Sequence, residues 1–243
     1  IVLIKGSRVF GFERIAARLQ RKVHGTVLEI DLGALIENLN FFKSRLNHGT
    51  KIMAMVKAFA YGSGSTEIAN VLQYHKIDYL GVAYADEGIE LRRNNISIPI
   101  MVMNPSEETF DVLFEHNLEP EIYSFRILHQ YLSFLKGRPG AIHLKLDTGM
   151  HRLGFEPGDI DKLSLILEKN PQIKLASLFS HLAGADDQEH DEFSATQAQR
   201  FREMASVVSE RVGYRPILHL LNSPGILRHS DLQMDMVRLG IAL

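Results

Sequence analysis

Short β-rich runs alternate with helix-period segments along this chain, and eight such runs can be counted. The alternation predicts an α/β protein, a TIM (β/α)8 barrel whose parallel sheet closes on itself. Two further observations agree with it. The chain has 243 residues, 45% of them hydrophobic, which is enough for one large core. Polar and ionisable residues also collect at the carboxyl ends of the predicted strands, the rim on which such barrels carry chemistry.

The elements follow in order. Residues 26–30 read as a strand-like entry. Asp31 can cap the next helix, where Leu32, Leu35, Leu39, Phe42 and Leu46 recur at helical spacing. The eight strand candidates are 52–57, 79–84, 100–103, 119–123, 142–147, 175–181, 218–222 and 236–241. Helical patterns separate most of them. One of the clearest is 194–212, with Phe201, Met204, Val208 and Val212 on one face. The connection 223–231 is short and weakly helical, and no helix follows the eighth strand. The chain opens on Ile1 rather than Met and ends at Ala242-Leu243 in what reads as mid-strand. It is expected to be a piece of a longer protein.

Composition excludes several classes. The formal net charge is −2, so no basic excess points to nucleic acid. No apolar run reaches membrane-spanning length and no secretory signal opens the chain. A cytoplasmic location without a membrane partner is expected. Cysteine is absent, which excludes disulfides, thiolate metal ligands and a Cys nucleophile. No metal site is expected.

The most informative stretch is Ile52 to Gly64. A lysine, Lys57, closes the apolar run Ile52-Met53-Ala54-Met55-Val56. Tyr61 and the turn Gly62-Ser63-Gly64 follow. A desolvated lysine loses its proton more easily and becomes a good nucleophile toward carbonyls. Further along, Lys145-Leu146-Asp147-Thr148-Gly149-Met150-His151-Arg152 leaves the fifth strand. His181 ends the sixth, Asn222-Ser223 the seventh, and Arg238-Leu239-Gly240-Ile241 the eighth. Each has an ordinary reading. Lys57 could snorkel, and His181 could be a satisfied core histidine. Lys145 and Arg152 could form a weak surface pair, Asn222-Ser223 could cap a helix, and Arg238 could pair with Asp235. One shared site explains all of them together.

These residues also carry a resemblance. The segments VLEIDLGALIENL, MAMVKAFAYGSG, HLKLDTGMHRLGF, FSHLAGAD, LLNSPG and DMVRLGIAL resemble those of alanine racemases, in order and approximate spacing from Thr26 to Leu243. Those enzymes are fold-type III barrels dependent on pyridoxal 5′-phosphate (PLP). The resemblance implies roles position by position. Lys57 matches the lysine that holds PLP covalently and serves as one proton-transfer base. Tyr61 matches a tyrosine on the phosphate. Ser223, Gly240 and Ile241 would complete the phosphate site, and Asn222 would line the cofactor. Arg238 matches the arginine facing the pyridine nitrogen, and His181 the residue that helps hold it. Arg152 matches an arginine near the phenolic oxygen and the substrate carboxylate. Lys145 matches a lysine that some members carry as a carbamate to position that arginine. An arginine stays protonated, so it leaves the pyridine nitrogen without a proton and weakens the electron sink. That suits rapid return of a proton to Cα rather than transamination.

The implied activity is isomerisation of L-alanine and D-alanine, supplying D-alanine for peptidoglycan, in a parent that is a homodimer. Ser63 stands where a histidine is common, and Leu239 where a proline is common. The family's C-terminal β-domain is absent, and with it the tyrosine that provides the second base from the partner subunit. This chain alone is therefore expected to be nearly inactive. Residues 1–24, with Val2-Leu3-Ile4-Lys5-Gly6-Ser7-Arg8 and then Phe12-Glu13-Arg14-Ile15 and Leu19, are similar to the end of Mur ligases, which add D-alanyl-D-alanine to the cell-wall precursor. Some bacteria fuse that ligase to an alanine racemase, and a barrel at 25–243 fits the fusion. Two rival readings remain. Chain length favours a non-catalytic PLP-homeostasis barrel, whereas the Asp147 to Gly154 segment and Arg238 favour the racemase. Arg238 also argues against a fold-type III decarboxylase, and a metal-dependent aldolase would want an acidic or histidine cluster near the missing terminus.

Overall fold

The computed structural model describes residues 30–57 and 65–243. The tail at 1–24, all of the 26–30 run except Ile30, and Tyr61 with its Gly-Ser-Gly turn lie outside the described residues. Residues Asp31–Leu243 form a compact unit of their own.

Eight parallel strands close into a barrel in sequence order, with the first paired to the last. They are β1 Lys51–Met55, β2 Tyr79–Val82, β3 Ile100–Val102, β4 Glu119–Ile122, β5 Gly140–Lys145, β6 Ile173–Phe179, β7 Ile217–His219 and β8 Met236–Leu239. The described helices are α1 Leu32–Lys43, α2 Ser65–Tyr74, α3 Ala85–Arg93, α4 Phe110–Glu115, α5 Phe125–Leu135, α6 Ile160–Glu168, α7 Asp191–Val212 and α8 Ser223–Arg228. The expected barrel and all eight strands are present. Among the described residues, no helix is long and apolar enough to cross a membrane.

The local causes are those expected of the sequence. Asp31 caps α1, its Oδ1 accepting from the Gly33 and Ala34 N–H groups at 2.8 and 3.1 Å. Leu35, Leu39 and Phe42 turn inward, while Leu32 stays exposed. α7 buries Phe201, Met204 and Val208 and ends at Gly213, whose φ of +77° forms a left-handed C-cap. The hydrophobic interior has two parts. A large shell lies between strands and helices, with Leu39, Leu72, Leu91, Phe110, Leu163 and Phe201 fully buried. A smaller cluster of Met53, Met101, Phe179 and Met236 fills part of the barrel lumen.

The strands stop earlier than the sequence suggests, and the causes are specific. β1 ends at Met55, and Lys57 lies beyond it, half-buried rather than buried. After β5, Asp147 Oδ1 accepts from the Gly149 and His151 N–H groups and turns the chain out of the sheet. After β7, Asn222 Oδ1 accepts from the Gly225 N–H at 3.0 Å, so the asparagine starts α8 instead of ending a strand. After β8, Leu243 N–H bonds to Gly240 O at 3.0 Å, so Ala242-Leu243 belong to a turn rather than to a strand.

Candidate active site

The carboxyl ends of the strands surround a cavity of about 350 Å³. That is the scale of a small-molecule site. Lys57, Lys145, Arg152, His181, Asn222, Ser223, Arg238, Gly240 and Ile241 all line it. Every site residue expected from the sequence therefore meets at one place, apart from Tyr61, which lies outside the described residues.

Arg238 forms the floor. It sits on β8, is 5% exposed, and donates from both terminal nitrogens. One nitrogen donates to His219 Nδ1 at 2.9 Å and to His219 O at 3.3 Å. The other reaches Ser180 O at 2.6 Å, Leu220 O at 3.1 Å and His181 Nδ1 at 3.4 Å. These acceptors fix the plane of the guanidinium. Burial pulls its pKa down to about 10, with Glu121 opposing the shift, so it remains a cation at neutral pH. Its expected alternative partner, Asp235, bonds to Arg215 at 3.0 Å and to the Leu218 N–H at 2.9 Å instead.

His181 stands beside this arginine. Burial, then the positive charges of Arg238, Arg152, Lys145 and Lys57, push its pKa to about 3. It is thus a neutral imidazole that can accept from Arg238. The 3.4 Å separation makes it a weaker partner than His219, which the sequence reading overlooked.

Lys145 is buried at the end of β5, and its ammonium lies 3.4 Å from Glu121 Oε1 on β4. Glu121 is 1% exposed, and neither of its oxygens has a hydrogen-bond partner. The contact is an ion pair outside good hydrogen-bond geometry. Burial raises the pKa of Glu121 and lowers that of Lys145, while each partner's charge pulls the other way. Glu121 was not anticipated. The signal for it was two acidic residues, Glu119 and Glu121, spaced by two in a short buried strand, both on one sheet face.

The loop after β5 carries Arg152, an exposed side chain, over the cavity. Phe155 N–H returns to Lys145 O at 2.9 Å, and Asp147 N–H bonds to Phe155 O at 2.8 Å. Gly154 permits this closure, because its φ is +132° and a Cβ there would lie 2.6 Å from Asp147 N. Gln197 of α7, fully buried, ties the neighbouring loops by accepting from Ala183 N–H and donating to His181 O and Thr148 Oγ1.

Also lining the cavity, Ser223 Oγ accepts from the Gly240 N–H at 3.0 Å. Ile241 is 83% exposed. Asn222 serves as the cap of α8 while lining the cavity. Among the described residues, the cavity carries four cationic side chains, Lys57, Lys145, Arg152 and Arg238, and one acidic one, Asp186. A primary amine, a hydroxyl beside a backbone N–H and a fixed guanidinium around one cavity form a donor set that fits an anionic aromatic aldehyde such as PLP.

The alanine racemase N-terminal domain model matches residues 30–243. An alanine racemase of Clostridium tetani is 36% identical over 220 residues, covering 88% of this chain and 56% of that protein. A serine/alanine racemase of Enterococcus gallinarum is 38% identical over 226 residues, covering 91% of this chain and 32% of that protein. Among solved structures, an alanine racemase of Clostridium difficile in complex with cycloserine superposes with a TM-score of 0.84 at 34% identity, covering 91% of this chain and 62% of that one. The chain spans a little over half the length of the Clostridium tetani relative. The barrel, the gathered site and these matches agree: the chain belongs to the alanine racemase N-terminal domain family.

Proposed function

We propose that residues 25–243 are the PLP-binding barrel of an alanine racemase. One observation supports this above the rest. A single cavity holds an amine (Lys57), a buried guanidinium (Arg238) and a hydroxyl beside a backbone N–H (Ser223, Gly240), three groups that different parts of the cofactor would use. When bound, PLP supplies an electron sink that makes the Cα proton of an attached amino acid acidic.

The chain's own groups do the rest. Lys57 holds the cofactor through its amine and moves a proton to and from one face of Cα. Arg238 presents a permanent N–H donor to the ring nitrogen, so that nitrogen takes no proton. Arg152, on its exposed loop, orients the substrate carboxylate. His181, kept neutral, supports Arg238 without adding a competing charge. Ser223 hands its hydroxyl and the Gly240 N–H to the phosphate once their mutual bond opens.

The wider reading follows the same lines. The parent enzyme interconverts L- and D-alanine in the cytoplasm, as a homodimer whose second subunit supplies the opposite-face base, and provides D-alanine for peptidoglycan. Residues 1–24 are the end of a Mur ligase fused ahead of the barrel.

The test is an absorbance spectrum of the chain titrated with PLP, then borohydride trapping and peptide mapping. A near-visible band that Lys57→Ala abolishes, with label on Lys57, is expected. Label on Lys145 or another lysine would overturn the assignment.

A further inference from the structure

A chain of short hydrogen bonds crosses the barrel lumen and takes one residue from each of five consecutive strands. Arg238 of β8 meets His219 Nδ1 of β7 at 2.9 Å. His219 Nε2 meets Ser177 Oγ of β6 at 2.8 Å. Ser177 Oγ meets His143 Nδ1 of β5 at 2.7 Å. His143 Nε2 meets Glu119 Oε2 at the start of β4 at 2.7 Å. His143, Ser177 and His219 are fully buried, whereas the Glu119 side chain is 22% exposed.

With both imidazoles neutral, the direction of every bond follows from the two ends. A guanidinium only donates, so His219 Nδ1 must accept and its proton must sit on Nε2. That N–H donates to Ser177 Oγ, whose own hydrogen is then free for His143 Nδ1. His143 therefore also carries its proton on Nε2 and donates it to Glu119, and an ionised carboxylate only accepts. Neighbours hold the rings in place. Phe179 stacks on His219 with centroids 4.9 Å apart, and Tyr79 meets His143 edge-on at 5.7 Å. Burial, then the charge of Arg238, push the pKa of His219 well below its ordinary value, which suits a neutral acceptor.

We propose that Glu119, His143, Ser177 and His219 are positioning residues for Arg238, forming a one-way relay by which a carboxylate at the amino end of the barrel fixes the arginine at its carboxyl rim. None of the four lines the cavity. The proposal rests on the reading of Arg238 as the group that meets the ring nitrogen of PLP. Within that reading, the relay sets the angle and constancy of that contact from the far side of the lumen.

The test uses the full 243-residue chain with ¹⁵N-labelled histidine. Long-range ¹H–¹⁵N spectra report which ring nitrogen carries the proton. Nε2–H is expected for both His143 and His219. Glu119→Gln keeps an acceptor and should retain both tautomers. Glu119→Lys places a donor at each end, so Ser177 Oγ must accept from both imidazoles and its own hydrogen loses its acceptor. His143 should move its proton to Nδ1, and the His219 resonances should shift. Ser177→Ala removes the bridge, and in that background the residue at 119 should no longer affect His219. Ser177→Thr keeps the hydroxyl and should restore the coupling. If Glu119→Lys does not fold, Glu119→Ala gives the same comparison through loss of the acceptor. The proposal fails if His219 carries its proton on Nδ1, or if its resonances ignore both Glu119 changes in folded protein. With ¹⁵N-labelled PLP bound, the ring-nitrogen resonance should shift in Glu119→Lys and not in Glu119→Gln. Absence of PLP binding would defeat the functional reading alone, because the histidine spectra of the unloaded chain still judge the relay.

Discussion

The barrel lumen differs between its two sides. Across β1 and β3 it is lined by methionine, with Met53 and Met101 buried and Met55 and Met103 packed against them. From β4 to β8 it holds Glu119, Glu121, His143, Lys145, Ser177, His219 and Arg238, with Phe179 and Met236 packed among them. Both sides fill space, but by different physics. Unbranched thioethers adapt to irregular gaps and constrain little. A buried polar network is satisfied by one arrangement and is costly in any other. The site is thus fixed on one wall and cushioned on the other, and substitutions should separate the two.

The largest effect should come from Arg238→Met. It would leave Ser180 O, Leu220 O and His219 Nδ1 without their donor, and each orphaned buried acceptor costs about 1–3 kcal/mol. A loss of about 3–5 kcal/mol is expected in urea unfolding, together with loss of PLP binding. An unchanged midpoint would show that the polar wall does not hold the fold.

Glu121→Gln should act through pH. Burial raises the Glu121 pKa from 4.5 to about 7, against the pull of Lys145. Between those values the folded chain holds the proton more tightly than the unfolded one. Native stability should therefore fall as pH rises through this window, by up to a few kcal/mol, and be highest below it. Glu121→Gln should flatten that slope in melts taken from acidic to neutral pH. A slope that persists would assign it to another group.

Gly154→Ala should cost about 1–3 kcal/mol, because the residue adopts a φ of +132° and its new Cβ would press on the Asp147 backbone. It should also weaken PLP binding in titrations, since the same loop carries Arg152. The smallest effect should be Met53→Leu, at less than about 1.5 kcal/mol with PLP affinity retained. A large loss there would mean that the methionine wall is as constrained as the polar one.

Much of this was legible in the sequence. The eight apolar runs, the Asp31 cap and the α7 stripe predict the barrel, and Lys57, Arg152, His181, Asn222, Ser223 and Arg238 predict the rim. Strand ends were less legible. Asp147 and Asn222 look like strand continuations until their side chains are seen to capture backbone N–H groups. The polar wall was also hidden. A strand buried on both faces does not alternate cleanly between apolar and polar, so His143 and Ser177 read as isolated residues. Their link appears only once register places them opposite each other on β5 and β6. His219 was passed over for His181 because a short apolar strand gives no sign of which side chain faces inward.

The pairing of β7 with β8 has a further consequence. Its ladder register contains a single pair, His219 with Met236, whereas β5 and β6 share six. Two backbone bonds outside the strands, Asp235 N–H to Leu218 O and Arg238 N–H to Leu221 O, extend it. The Arg238 side chain then stitches β8 to His219, Leu220 and Ser180. This side chain works as the clasp of the cylinder, fastening its thinnest seam. Closing the barrel and assembling the floor of the cavity are then one folding event, so a chain that had not finished closing would offer no finished pocket.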